Sequence, residues 1–302
     1  MKKELLADTR DLLARAGFYI SDTCTIRPSS FDFVARRDNT LFVVKVLNNI
    51  DALSEDVAKE ILLLAKYLEA VPLLIGNRTS SGALENETLY YRYRVPIITY
   101  ETLNECLRGV MPIVTAAPGG FYVNLDGDKI RELREEKGIS LGQLARAAGI
   151  SRRTIRMYER GERATVEVAE RIYSFLGEDI LKPLDMIDFI DNYELEIGKS
   201  INDDMLSLME SMGISILPTL RSPFNALSEL VDELLLVGVS GKRIAERARI
   251  MSNISKVVER HSVFLIKSSS KKNIEGIPVI EKKELSRIDG PFGLLDLIRE
   301  RE

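Results

Sequence analysis

Histidine is nearly missing from this chain: His261 is the single one among 302 residues. Cysteine is almost as scarce. Cys24 and Cys106 form no CxxC pair, so reduced thiols in a cytoplasmic chain are expected rather than a disulfide framework. No G-x-x-x-x-G-K-[ST] loop, H-E-x-x-H or G-x-S-x-G occurs, which removes sequence support for nucleotide hydrolysis, zinc proteolysis and serine hydrolysis. No apolar run approaches the ~18 residues that span a bilayer. The opening MKKELLADTR has no apolar stretch behind its lysines, so a signal peptide is not expected. A net charge of −4 argues against a protein that coats nucleic acid with its whole surface, but it leaves room for a local basic patch.

What is present falls into three segments, as suits a chain with room for two or three domains of ~100 residues each. In residues 1–112, Leu5 to Ala16 repeats apolar residues at helical spacing and stops at Gly17. Phe31 to Val34 and Leu41 to Leu47 read as strands joined by Arg37-Asp38-Asn39. Ser54 to Ala70 reads as a long amphipathic helix, and Val71 to Ile75 and Val95 to Tyr100 as short strands. Pro112, Pro118, Gly119 and Gly120 mark 113–125 as a linker. Residues 126–184 read as wholly helical.

Residues 185–302 repeat the feature order of the first segment. Gly17 aligns with Gly213 at an offset of 196, and Asp32 with Asn225 at 193. The strand from Leu41 meets that from Leu234, and Val95-Pro96-Ile97-Ile98 meets Ile277-Pro278-Val279-Ile280. Identity is low, so the order of features and the slow drift of the offset carry the reading. Two unrelated small α/β domains are the alternative. The expected fold class is α/β plus all-α, with a central helical bundle between two small α/β domains that look like a duplication.

The densest signal lies between Asp128 and Leu176. Asp128 to Lys137 sets Ile130 and Leu133 on one face, and Gly138 supplies a left-handed stop. Ser140 with Gln143 is a capping box opening a second helix, expected to bury Leu141, Leu144, Ala145 and Ala148 and to end at Gly149. Ile150 plugs the turn, Ser151 caps a third helix and Gly161 closes it. There Ile155 and Tyr158 face inward, while Arg152, Arg156 and Arg160 form an outer stripe with Arg153 and Met157 beside it. From Asp128 to Arg163 ten Lys/Arg stand against six Asp/Glu, so this stretch is net positive inside an acidic chain. An arginine fork bonds guanine O6 and N7 together or clamps a phosphate, which makes that face apt for the major groove.

Ile139-Ser140-Leu141-Gly142-Gln143-Leu144-Ala145, Ala148-Gly149-Ile150-Ser151, Thr154-Ile155 and Tyr158-Glu159-Arg160-Gly161 resemble the Cro/C1-type helix-turn-helix. The resemblance implies a module of four or five helices whose third helix reads bases through Arg152, Arg153 and Met157. It also implies that the start of the second helix approaches phosphate. The family often has Gln where Leu141 stands, so Gln143 or Arg146 is expected to take over that contact. Ser140, Ser151, Thr154, Arg156 and Arg160 complete the expected DNA-binding set. The whole layout resembles archaeal HTH-type transcriptional regulatory proteins, with an α/β domain on each side of the module. Expected partners are double-stranded DNA and a second copy of the chain. No cofactor, metal or membrane is expected, and the sequence names no effector.

Asp32, a hairpin, and Lys45 on a strand before a long helix resemble the PD-(D/E)xK nuclease core. The family's second acidic position is Val43 here, and the second copy has Asn225, Leu236 and Gly238. Metal-assisted hydrolysis needs at least two carboxylates, so an inactive scaffold is expected and the chain is read as no enzyme. The competing reading is a nuclease whose missing second acid is relocated to Glu55 or Glu60. A further alternative is an antitoxin or adaptor whose flanking domains hold a protein partner. His261 reads as a surface or satisfied histidine and Cys24 and Cys106 as small core residues. Lys45 reads equally as a lysine that discourages strand-edge aggregation. Tyr90, Tyr91 and Tyr93 alternating with Arg92 and Arg94 read as an edge strand, with nucleic-acid stacking as the alternative.

Overall fold

The computed structural model describes residues 2–184 and 203–302. The expected start of the third segment, Asp185, lies outside the described residues. Two compact units result, one from residues 2–74 with 203–302 and one from residues 75–184.

The first unit opens with α1 (Lys2–Arg15), whose buried Leu5, Leu12 and Leu13 recur at helical spacing. Gly17, at φ +85, ends the run. Strands β1 (Tyr19–Ile20), β2 (Phe33–Arg37) and β3 (Thr40–Asn49) pair antiparallel. Along β3, Leu41 to Val46 are buried without alternation, the pattern of a strand covered on both faces. Ser54 accepts the Val57 N–H to cap α2 (Glu55–Tyr67), after which β4 (Val71–Arg78) begins.

In the second unit come β5 (Thr88–Arg92), β6 (Val95–Ile98) and α3 (Tyr100–Leu107). The stretch 113–125, expected to be a linker, is instead the hairpin β7 (Val114–Ala117) and β8 (Gly120–Leu125). Pro118 and Gly119 mark its tight turn, with Gly119 at φ +97. Strand β7 pairs parallel with β5, which also pairs antiparallel with β6. The tyrosine-rich strand is thus interior, not an edge. Tyr93 and Arg94 lie beyond it in a positive-φ turn. Helices α4 (Gly127–Glu136), α5 (Leu141–Ala148), α6 (Arg152–Tyr158) and α7 (Val166–Leu176) follow. The short strands β9 (Ala164–Thr165) and β10 (Leu181–Lys182) return to pair with β8. The segment expected to be wholly helical therefore carries strand pairing, and Val123, Leu125 and Ile180 join the helices in one core.

Residues 203–302 return to the first unit: α8 (Asp204–Ser211), β11 (Ser215–Pro218), β12 (Ala226–Leu230), β13 (Glu233–Val239), α9 (Ile244–Val258), β14 (His261–Ile266), β15 (Asn273–Ile274), β16 (Ile277–Glu281), α10 (Lys282–Leu285) and α11 (Gly290–Arg301). The strand order is β11-β12-β13-β14-β16-β15. Its antiparallel trio β11-β12-β13 matches β1-β2-β3, and β15 pairs antiparallel with β16 as β5 does with β6.

Within this unit the two portions hold each other by contacts of matching position. Glu60 on α2 accepts the N–H groups of Leu220 (3.1 Å) and Arg221 (2.8 Å) and the hydroxyls of Ser222 and Ser30. Asn253 on α9, 193 positions later, accepts the Asp22 N–H. Arg36 on β2 bonds Glu259 at 2.6 Å and the Val258 carbonyl at 3.0 Å. Among the described residues no helix is long and apolar enough to cross a membrane.

Candidate nucleic-acid interface

Each of the first three helices of the bundle starts on a side chain that accepts an otherwise orphaned N–H. Asp126 accepts from Lys129 (3.0 Å), Ser140 from Gln143 (3.2 Å) and Ser151 from Thr154 (3.0 Å). Gln143 completes the box by accepting the Ser140 N–H at 2.8 Å. Gly138 and Gly149 take positive φ where the chain reverses, and the partly buried Ile150 packs on the core between α5 and α6. Helices of seven and eight residues are too short to persist alone. They hold because Leu144, Ala145, Ala148, Ile155 and Tyr158 are buried together, at roughly 1.5–3 kcal/mol for each large apolar side chain.

Three contacts set the relative placement of these helices. Arg134 on α4 bonds Glu159 at 2.6 Å, with only 12% and 9% of their side chains exposed. That hydrogen bond holds the Arg134 guanidinium above its ordinary pKa. A Cβ on Gly127 would stand 2.5 Å from the Tyr158 carbonyl oxygen and 2.7 Å from that of Glu159, so α4 begins in backbone contact with the end of α6. The guanidinium of Arg152 lies across Gly142, whose Cβ position is 3.0 Å from its Nε and Nη2 atoms.

The expected DNA-binding residues fall into distinct environments. Arg153, Arg156 and Met157 are exposed on α6, and Arg146 is exposed on α5. Ser140, Gln143 and Ser151 are engaged as caps, and Thr154 shares a hydroxyl contact of 2.8 Å with Ser151. Leu141, expected in the core, is half-buried against its rim. Arg160 does not extend the helical stripe. Helix α6 ends at Tyr158, and Gly161 N–H closes a turn on the Tyr158 carbonyl at 2.9 Å. Arg134, Glu159 and Gly127 were missed from the sequence: nothing in the local spacing couples positions 25 residues apart. Gly142 offered a signal, because glycine inside a helix is unfavourable unless something needs the space.

Outside the bundle the fold brings Asp32 and Lys45 together. Asp32 is wholly buried, accepts the Val46 N–H at 2.8 Å, and is ringed by Lys2 (3.2 Å), Arg27 (3.7 Å) and Lys45 (3.9 Å). Lys45 also donates to the Ser29 carbonyl at 2.7 Å, and burial pushes its pKa down to about 8. Neither candidate for the second acid joins them. Glu60 is occupied by the 220–222 loop, and Glu55 pairs with Lys59 at 2.8 Å on an exposed turn. Among the described residues no three His, Cys, Asp or Glu side chains are placed to hold a metal. His261 is clasped between Glu233 (3.1 Å) and Glu302 (2.7 Å). Cys24 is buried and Cys106 partly so, and burial raises both thiols, Cys106 to about 11.

Residues 2–112 match the PD-(D/E)XK superfamily domain, and residues 130–182 match the Helix-turn-helix family. Over its full length the chain is 38% identical to a protein of Methanosarcina mazei, covering 98% of that protein. It is 39% identical to one from Methanococcoides burtonii, over 99% of this chain and 97% of the relative. The value is 35% for one from Halobacterium salinarum, over 99% and 98%. All three bear the name "Putative HTH-type transcriptional regulatory protein". No solved structure gives a significant match.

Proposed function

Since the chain belongs to the family of archaeal HTH-type transcriptional regulatory proteins, we propose that it regulates transcription in the cytoplasm by binding specific duplex DNA through α6. The observation that carries this reading is the outer face of that helix. Arg153, Arg156 and Met157 are exposed there, and no carboxylate lies between Arg152 and Tyr158. Arginine forks suit guanine edges in the major groove, and an apolar side chain suits the thymine methyl. A seven-residue helix spans few base pairs, so site selection calls for a homodimer whose two α6 helices lie ~34 Å apart on the duplex. The matching strand trios of the first unit support a duplicated α/β scaffold flanking the bundle. The ion network around Asp32 and the occupied Glu60 support a structural role for that scaffold.

Selection of bound duplexes from a random library at two salt concentrations tests the proposal. A palindromic consensus with half-sites about one helical turn apart is expected. Binding with no enriched sequence and a steep salt slope would reduce the role to phosphate reading. No binding at either salt would overturn it.

A further inference from the structure

Arg152 opens α6, yet its guanidinium lies across the first turn of α5, over Gly142. We infer that Arg152 is a phosphate clamp serving the amino end of α5 and not a reader of bases, an inference that rests on the DNA-binding reading above.

The side chains native to that turn offer a phosphate no positive charge. Leu141 is apolar and half-buried against the bundle core, and Gly142 has no side chain. The Gln143 carbonyl oxygen accepts the Ser140 N–H, and the Ser140 hydroxyl accepts the Gln143 N–H. The Ser140 hydroxyl and the Gln143 amide keep neutral donors, and Arg152 brings the permanent charge and the guanidinium fork that the turn lacks. The seat exists because Gly142 has no Cβ: one built there would meet Nε, Nη2 and Cζ at 3.0 to 3.2 Å. Glycine weakens a helix, and here its gain is the room it leaves for Arg152. With Arg152 committed to α5, base reading falls to Arg153, Arg156 and Met157. A phosphate contact fixes register without distinguishing sequences, so the two roles separate experimentally.

The test uses the full chain, its selected duplex, and a panel of that duplex altered one base pair at a time. Arg152→Ala is expected to weaken every duplex by the same factor, roughly 5- to 20-fold, and to reduce the salt slope by about 1 per protomer. Gly142→Ala, which displaces only the end of a flexible side chain, is expected to produce a smaller uniform loss. The double variant is expected to bind no worse than Arg152→Ala alone, because both changes remove one contact. Arg153→Ala is expected to flatten base preference at one position of each half-site. A changed consensus in Arg152→Ala would overturn the clamp while leaving the regulator reading intact, as would losses that multiply in the double variant. A wild-type chain that binds no duplex would overturn both.

Discussion

At Asp32 and again at Asn225, a side-chain oxygen accepts the N–H of the residue fourteen positions on, Val46 at 2.8 Å and Val239 at 2.7 Å. The surroundings of the two differ. Three cations ring Asp32, and one of them, Lys45, rises from strand β3 to bond the Ser29 carbonyl. Asn225 meets one guanidinium, that of Arg247 on α9, which donates to Asn225 at 2.5 Å and to the carbonyls of Pro223 (2.9 Å) and Val239 (3.0 Å). The counterpart of Lys45 is Gly238, where a Cβ would stand 2.6 Å from the Phe264 ring. In the second portion the cation therefore comes from the helix. What the two portions share is a side-chain acceptor that fastens a bend to a strand, while the charge around it differs in number and origin.

Removing the acceptors breaks the comparison most directly. Asp32→Ala leaves the Val46 N–H unmet and Lys45 buried without a counter-charge, so urea titration should show a loss of about 3–5 kcal/mol. Asn225→Ala leaves Arg247 its two carbonyls and should cost about 1–3 kcal/mol. Equal losses would show that the charge difference is immaterial.

Lys45 supplies the next effect. Its folded pKa of about 8 lies below the ordinary 10.5, so between those values the unfolded chain holds the extra proton. Stability must then rise with pH across that window. Lys45→Met should abolish the rise, on the order of 3 kcal/mol, as read from unfolding curves between pH 7.5 and pH 10.5. A rise that persists in the variant would assign it to another group.

The smallest contrast lies where the portions meet. Glu60→Ala removes a charged acceptor of several donors and should cost about 2–3 kcal/mol, whereas Asn253→Ala should cost about 1 kcal/mol. If Asn253→Ala proved the more damaging, the weight of that contact would lie with α9.

The bundle was largely legible because its signals are local. Ser140 with Gln143, Ser151 with Thr154, and the glycines at 138 and 149 each act within four residues of their own position. Runs of β-branched and aromatic residues likewise located β2 and β3, and helical spacing located α2. Long-range contacts left no such trace. Nothing near Glu60 announces that the loop at 220–222 will occupy it, and nothing near Arg134 announces Glu159. Pro118 and Gly119 carry the composition of a linker and of a hairpin turn equally well. Only the pairing of β7 with β8 decides between them.

That hairpin alters what the bundle is attached to. A tether transmits tension and little else, whereas a strand hydrogen-bonded to its neighbour transmits rotation. Because β5 pairs with β7, β7 with β8, and β8 lends Val123 and Leu125 to the bundle core, the bundle is joined to β5 by backbone bonds and packed side chains. A fragment cut at Asp126 would therefore lose one wall of its core.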